Sequence, residues 1–89
     1  LYNTGQSCVA AKRLIVVERV RARFEALLVA EMAARRAGDP RDPATQLGPL
    51  AREDLRAELH AQVTRSVRAG ARLLLGGQMP GGRGWFYPA

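Results

Sequence analysis

One cysteine, one histidine, one lysine and five aromatic residues are all that this chain of 89 carries of those types. A single cysteine excludes an intramolecular disulfide, and with it the small secreted scaffold whose core is replaced by bridges. A reducing, cytoplasmic setting is therefore expected. One cysteine and one histidine also fall short of the ligand set of a zinc centre, so no metal site is expected. Long apolar runs are missing too. Arg19, Arg21, Arg23 and Glu25 interrupt the longest helical stretch, far short of the roughly 20 apolar residues that cross a bilayer, so no membrane partner is expected. Leu1-Tyr2-Asn3-Thr4-Gly5 has neither the charged start nor the apolar core of a secretory leader. It reads as an interior cut, as does Trp85-Phe86-Tyr87-Pro88, where a strand begins close to the last residue. A chain this short buries only about 60% of its unfolded surface, too little for a deep catalytic cleft of its own. The expectation is a piece of a larger domain.

What the chain has in excess is arginine: 13 of its 14 basic residues, against 8 acids, for a net charge of +6. That balance raises nucleic acid or an acidic partner as the ligand of a small basic helical module, the alternative to an enzyme. Placement favours a solvated helix surface instead, with no nucleic-acid partner. Glu18, Glu25 and Glu31 alternate with the arginines of the first half, and Glu53, Asp54 and Glu58 with those of the second.

Two helical stripes stand out. Val20, Phe24, Leu27, Leu28 and Met32 share one face of a helix expected over about residues 19 to 36, closed by Gly38 and Pro40. Leu55, Leu59, Val63 and Val67 do the same over roughly 51 to 69, with Gly70 as the stop. Leu14-Ile15-Val16-Val17 and Leu73-Leu74-Leu75 are too short for helices and too continuous for a half-exposed strand. They predict strands buried on both faces. With a long connection between them, the order points to an α/β layer with parallel pairing, incomplete because two strands cannot cover each other's faces. Gly38 to Pro49 is a turn-rich loop. Gly76 to Gly84 is a second one, without the strand–loop–helix setting and Lys-Ser/Thr pair of a phosphate loop.

Chemistry concentrates at Cys8. Asn3-Thr4-Gly5 reads as a turn and Val9-Ala10-Ala11 permits a helix, which predicts Cys8 at a helix N-terminus. There the dipole and the unpaired N–H groups favour a thiolate and can stabilise an oxyanion, and Lys12 and Arg13 add positive charge. His60 lies mid-helix beside Leu59 and is expected to be a surface or internally satisfied residue, not a base for Cys8.

Asn3-Thr4-Gly5-Gln6-Ser7-Cys8, with Ala10 and Arg13 following, resembles the active-site cysteine motif of the aldehyde dehydrogenase superfamily. The likeness continues through Gly38-Asp39-Pro40, Asp42, Thr45, Gly48-Pro49-Leu50, Gly70-Ala71, Gly76-Gly77 and Phe86-Tyr87-Pro88. It is nearest to the succinate-semialdehyde branch, on Gly5-Gln6-Ser7-Cys8-Val9-Ala10-Ala11-Lys12-Arg13 and Gly48-Pro49-Leu50-Ala51-Arg52-Glu53-Asp54-Leu55-Arg56. The resemblance implies part of an α/β catalytic domain: short helix, strand, long helix, loop, long helix, strand, in an incomplete parallel sheet. It places the dinucleotide-binding and oligomerisation segments outside residues 1–89. It makes Cys8 the nucleophile that forms a thiohemiacetal with a small-molecule aldehyde, a hydride passing to NAD or NADP and the thioester being hydrolysed. Ser7 and Val9, by adjacency, are expected to line the substrate pocket. No cofactor-binding residue is assigned, since Leu55 stands where some members carry a polar group near the ribose. Tyr2 stands where some semialdehyde enzymes carry an arginine, and Ala10 where some relatives carry a second cysteine. The resemblance further implies a homo-oligomeric intact protein and an inactive isolated fragment.

Overall fold

The computed structural model describes residues 1–89. Its regular structure is two helices, α1 over Glu18–Ala33 and α2 over Glu53–Arg68, preceded by a single tight turn at Tyr2–Gly5. α2 obeys the electrostatics of a helix at both ends. Glu53 and Asp54 occupy its first turn and Arg65 and Arg68 its last, each sign facing the opposite end of the macrodipole. It stops at Gly70, whose φ of +100° only glycine adopts freely. The Gly70 N–H donates to the Val67 carbonyl at 2.9 Å and the Ala71 N–H to the Ser66 carbonyl at 3.0 Å, the paired bonds of a Schellman cap.

α1 opens with Glu18 in its first turn, which accepts from the Arg21 Nε at 3.0 and 3.1 Å. It ends three residues earlier than the periodicity predicts, because the following loop captures its last residues. The Arg36 N–H donates to the Gln46 Oε1 at 3.0 Å, and the Arg36 carbonyl accepts from Gln46 and Leu47 at 2.8 and 3.0 Å. That exchange, with the Gly38 N–H donating to the Leu47 carbonyl at 3.1 Å, makes the one β-bridge of the chain, a parallel pairing of Ala37 with Leu47.

The expected strands are absent as ladders. Residues 14–17 and 73–75 lie outside any helix and pair with nothing. Leu14, Val17, Leu73 and Leu74 are exposed, and Ile15 is 100% accessible. The physical reason is the one the composition of these runs contains: a strand apolar on both faces is ordered by neighbours on both sides, and none is supplied by residues 1–89. The expected short helix at Cys8 is likewise replaced by a turn, because Asn3, Thr4 and Gly5 take φ values of +47°, +55° and +80° and turn the chain left-handed before it reaches Ser7.

The core is small: Ala10, Leu47, Leu50 and Tyr87 are the buried residues. The backbones of α1 and α2 do not approach each other closely, and the two helices meet only around a small pocket lined by Met32, Leu59 and Val63. The surface of 7094 Å² compares with about 5,100 Å² for a compact chain of this mass. The radius of gyration of 13.9 Å likewise exceeds the about 12 Å of a packed domain of this length. No helix is long and apolar enough to cross a membrane.

Candidate active site

Cys8 is a free, exposed thiol on a turn closed by the Ala10 N–H donating to the Ser7 carbonyl at 3.0 Å. The same carbonyl accepts from the Lys12 Nζ, so the peptide just before Cys8 is held by a backbone donor and by a cation. Ala10 is buried and anchors the turn from beneath, Ser7 is half-buried and Val9 is 72% exposed. The N–H groups of Cys8 and Val9 donate to no acceptor within the chain, leaving two donors beside the thiol. Without a helix here, the positive end of a macrodipole does not act on Cys8; what remains is free N–H groups and the Lys12 charge. Beside the turn lies a cleft of about 730 Å³, lined by Gly5, Ala10, Ala11, Lys12, Leu28, Met32 and Leu47 among others. Cys8, Ser7 and Val9 are not in its wall.

His60 is satisfied elsewhere. Its Nδ1 lies 3.1 Å from the Tyr87 hydroxyl, and the two rings meet edge to face at 6.0 Å. Burial of Tyr87 pushes its phenol above the ordinary value, because the anion is the form that loses solvation. Nearby, Arg56 stacks over Trp85 with its guanidinium carbon 5.3 Å from the ring centroid, and the Leu50 N–H donates to the Trp85 carbonyl at 2.9 Å. These contacts make the C-terminal segment a shelf for residues 47–51. The sequence offered no sign of them, nor of the bond that the Ala51 N–H donates to the Gln6 Oε1 at 2.8 Å. Partners so far apart in the chain leave no periodic signal.

The basic excess is in part neutralised in place. Arg21, Arg35, Arg36, Arg41, Arg52 and Arg72 each pair with an acid within 4.0 Å. Hydrogen bonds from Arg41 and Arg52 hold the exposed Asp39 and Asp54 carboxyls below their usual range. This is the mixed-sign, solvated surface that the charge pattern predicts.

A cysteine turn of this kind, followed by a helix, a turn-rich loop, a second helix and an apolar return, defines a class, and comparison with known proteins identifies it. Residues 1–89 match the aldehyde dehydrogenase family from end to end. The chain belongs to that family. It is 54% identical over 86 residues to a succinate semialdehyde dehydrogenase, NAD(P)+, of Escherichia coli, covering 97% of this chain and 19% of that protein. It is 51% identical over 86 residues to a succinate-semialdehyde dehydrogenase, NADP+, of Mycobacterium avium, with 97% and 18% covered. Among solved structures, the lactaldehyde dehydrogenase of Escherichia coli superposes with a TM-score of 0.92 at 33% identity, over 97% of this chain and 18% of that one. An aldehyde dehydrogenase of Mycobacterium tuberculosis complexed with NAD+ gives 0.89 at 32% identity, over 96% and 18%. The chain thus spans about a fifth of the length of the relatives it matches. These structures fix the α/β class of the fold to which the two helices belong.

A Cβ on Gly76 would lie 2.7 Å from the Ala89 carbonyl, and one on Gly77 2.6 Å from the Leu73 side chain. These glycines make room for the chain itself. Both helix N-termini carry carboxylates, Glu18 in α1 and Glu53 with Asp54 in α2, the sign that complements the positive end of the helix dipole.

Proposed function

We propose that residues 1–89 are the nucleophile-bearing part of the catalytic domain of an enzyme that oxidises an aldehyde, of the succinate-semialdehyde class, to its carboxylic acid. The observation that carries this reading is Cys8: an exposed thiol on a turn, between unengaged backbone donors, in a chain about half identical to succinate-semialdehyde dehydrogenases. The Cys8 Sγ adds to the carbonyl carbon of the aldehyde, the C=O π pair moves to oxygen, and the thiol proton leaves to a base. That base lies outside these residues, since His60 is held by Tyr87. The developing oxyanion is stabilised by a backbone donor, a role that the unengaged Cys8 N–H can fill. In the whole enzyme NAD or NADP, when bound, would accept the hydride, and water would then break the C–S bond of the acyl group left on Sγ, releasing the acid and the Cys8 thiol. Ser7 and Val9, on either side of the nucleophile, face the incoming substrate. The same reading extends to a cytoplasmic, homo-oligomeric parent protein, which sedimentation of the intact protein would check.

The test is Cys8→Ala in the intact protein. Turnover of succinate semialdehyde should fall to background while NAD(P) binding, followed by quenching of protein fluorescence, is retained. Near-normal turnover by the variant would remove Cys8 from the chemistry. The isolated 89-residue chain, having the thiol without a base or a cofactor site, should show no turnover.

A further inference from the structure

Residues 1–16, which include the Cys8 turn, are joined to the rest of the chain by one hydrogen bond. The Gln6 Oε1 accepts the Ala51 N–H at 2.8 Å, 45 residues away in sequence; every other hydrogen bond made by residues 1–16 stays among themselves. The donor sits on fixed ground. Ala51 follows Leu50, which is 7% exposed and tied to the Trp85 carbonyl at 2.9 Å, and it precedes Arg52, the residue that caps α2. The acceptor sits two residues before the thiol, and the intervening peptide is fixed by the Ala10 N–H and the Lys12 Nζ on the Ser7 carbonyl. On the other side, Asn3 and Thr4 hold left-handed φ values of +47° and +55°, which non-glycine residues keep only when the surroundings impose them.

We propose that Gln6 is a positioning residue for the nucleophile: its carboxamide oxygen docks the Cys8 turn on the residue 50–51 shelf and so sets where the Sγ meets the carbonyl carbon. This rests on the reading of Cys8 as the nucleophile. The chemistry asks for an acceptor of a given reach. A carboxylate at position 6 preserves the bond, whereas a leucine preserves the bulk and loses it. An offset of the attacking atom raises the barrier to the chemical step and leaves substrate binding through other contacts unaffected.

The experiment compares Gln6→Leu, Gln6→Glu and Cys8→Ser in the intact protein. Gln6→Leu should lower kcat by about 2- to 12-fold, the equivalent of one net hydrogen bond, with KM unchanged and the Ala51 amide exchanging faster with solvent. Gln6→Glu should restore both kcat, read at the plateau of its pH profile, and the slow exchange. The proposal is overturned if Gln6→Leu keeps full kcat, if Gln6→Glu is as impaired as Gln6→Leu, or if Ala51 exchange is the same in all proteins. Cys8→Ser separates the two levels. If it abolishes turnover while Gln6→Leu is silent, only the positioning role falls; if it retains turnover, the nucleophile reading falls and the positioning role with it.

Discussion

α1 and α2 have the same length, sixteen residues each, and find very different company. α2 is capped by a Schellman motif, turns Leu59, His60 and Val63 inward, and shares a small apolar cluster with Leu47, Leu50 and Tyr87. α1 sends only Met32 to that cluster and keeps Val20, Phe24 and Leu27 exposed, where α2 exposes Leu55 and Val67, and the extended segment leading into α1 exposes Leu14, Ile15 and Val17. Its one tie to the C-terminal half through charge is Glu25, which accepts from Arg72 at 2.9 Å. The difference separates what residues 1–89 settle among themselves from what they prepare for other surfaces. A stripe of large apolar residues in a chain already short of core is there to be covered, since each such side chain gains about 1.5–3 kcal/mol when removed from water.

Substitutions in the intact protein break or sharpen this contrast, and the largest effect is expected where the residue looks most dispensable. Ile15→Asp alters a fully accessible side chain. If residues 14–17 become a strand buried on both faces, it leaves an uncompensated charge and destabilises by about 4–5 kcal/mol. A thermal melt unchanged from the parent would show that this face meets water after all. Tyr87→Ala empties the other half's cluster and should cost about 3 kcal/mol. Tyr87→Phe removes only the His60 partner and should cost about 1 kcal/mol in chemical denaturation. Tyr87 also carries a pH signature. Its phenol is raised above 10.0 by burial, so its contribution is complete below the unfolded value and is lost as pH climbs through the folded one. Stability should fall at alkaline pH, and Tyr87→Phe should flatten that fall.

Smaller effects come next. Gly70→Ala meets no atom within 4 Å but must hold φ at +100°. It should therefore cost about 1 kcal/mol by strain alone. Glu25→Gln breaks the pair with Arg72, whose side chains are 33% and 67% exposed, together with the longer contact of 3.8 Å to Arg21 within α1. Its effect should stay below about 0.5 kcal/mol and vanish at high salt. A large effect there would mean that the two halves are coupled through this pair more than through apolar contact.

Much of this architecture is legible in the residues. The stripe Leu55, Leu59, Val63, Val67 and the stop at Gly70 predict α2 to within two residues of its ends, because amphipathic period and capping are local. Cys8 and its neighbours carry enough identity to find the family. What is not legible is whatever long-range partners decide. The end of α1 is set by Gln46 reaching back ten residues. The helix expected at Cys8 gives way to a turn because Asn3 and Thr4 are held left-handed. The apolar runs at 14–17 and 73–75 were readable as strands but could not form a ladder among these residues, since strand order is a property of neighbours.

The bond between Gln6 and Ala51 also has a bearing on the order of events during synthesis. The thiol leaves the ribosome before its dock does, because the backbone N–H that holds its turn is made 45 residues later, and closing a loop of that length costs roughly 3 kcal/mol of chain entropy. The turn is therefore finished only once the segment leading into the second helix has been made. A nascent or truncated chain holds a cysteine but not an aimed one, so reactivity arrives with the fold instead of preceding it.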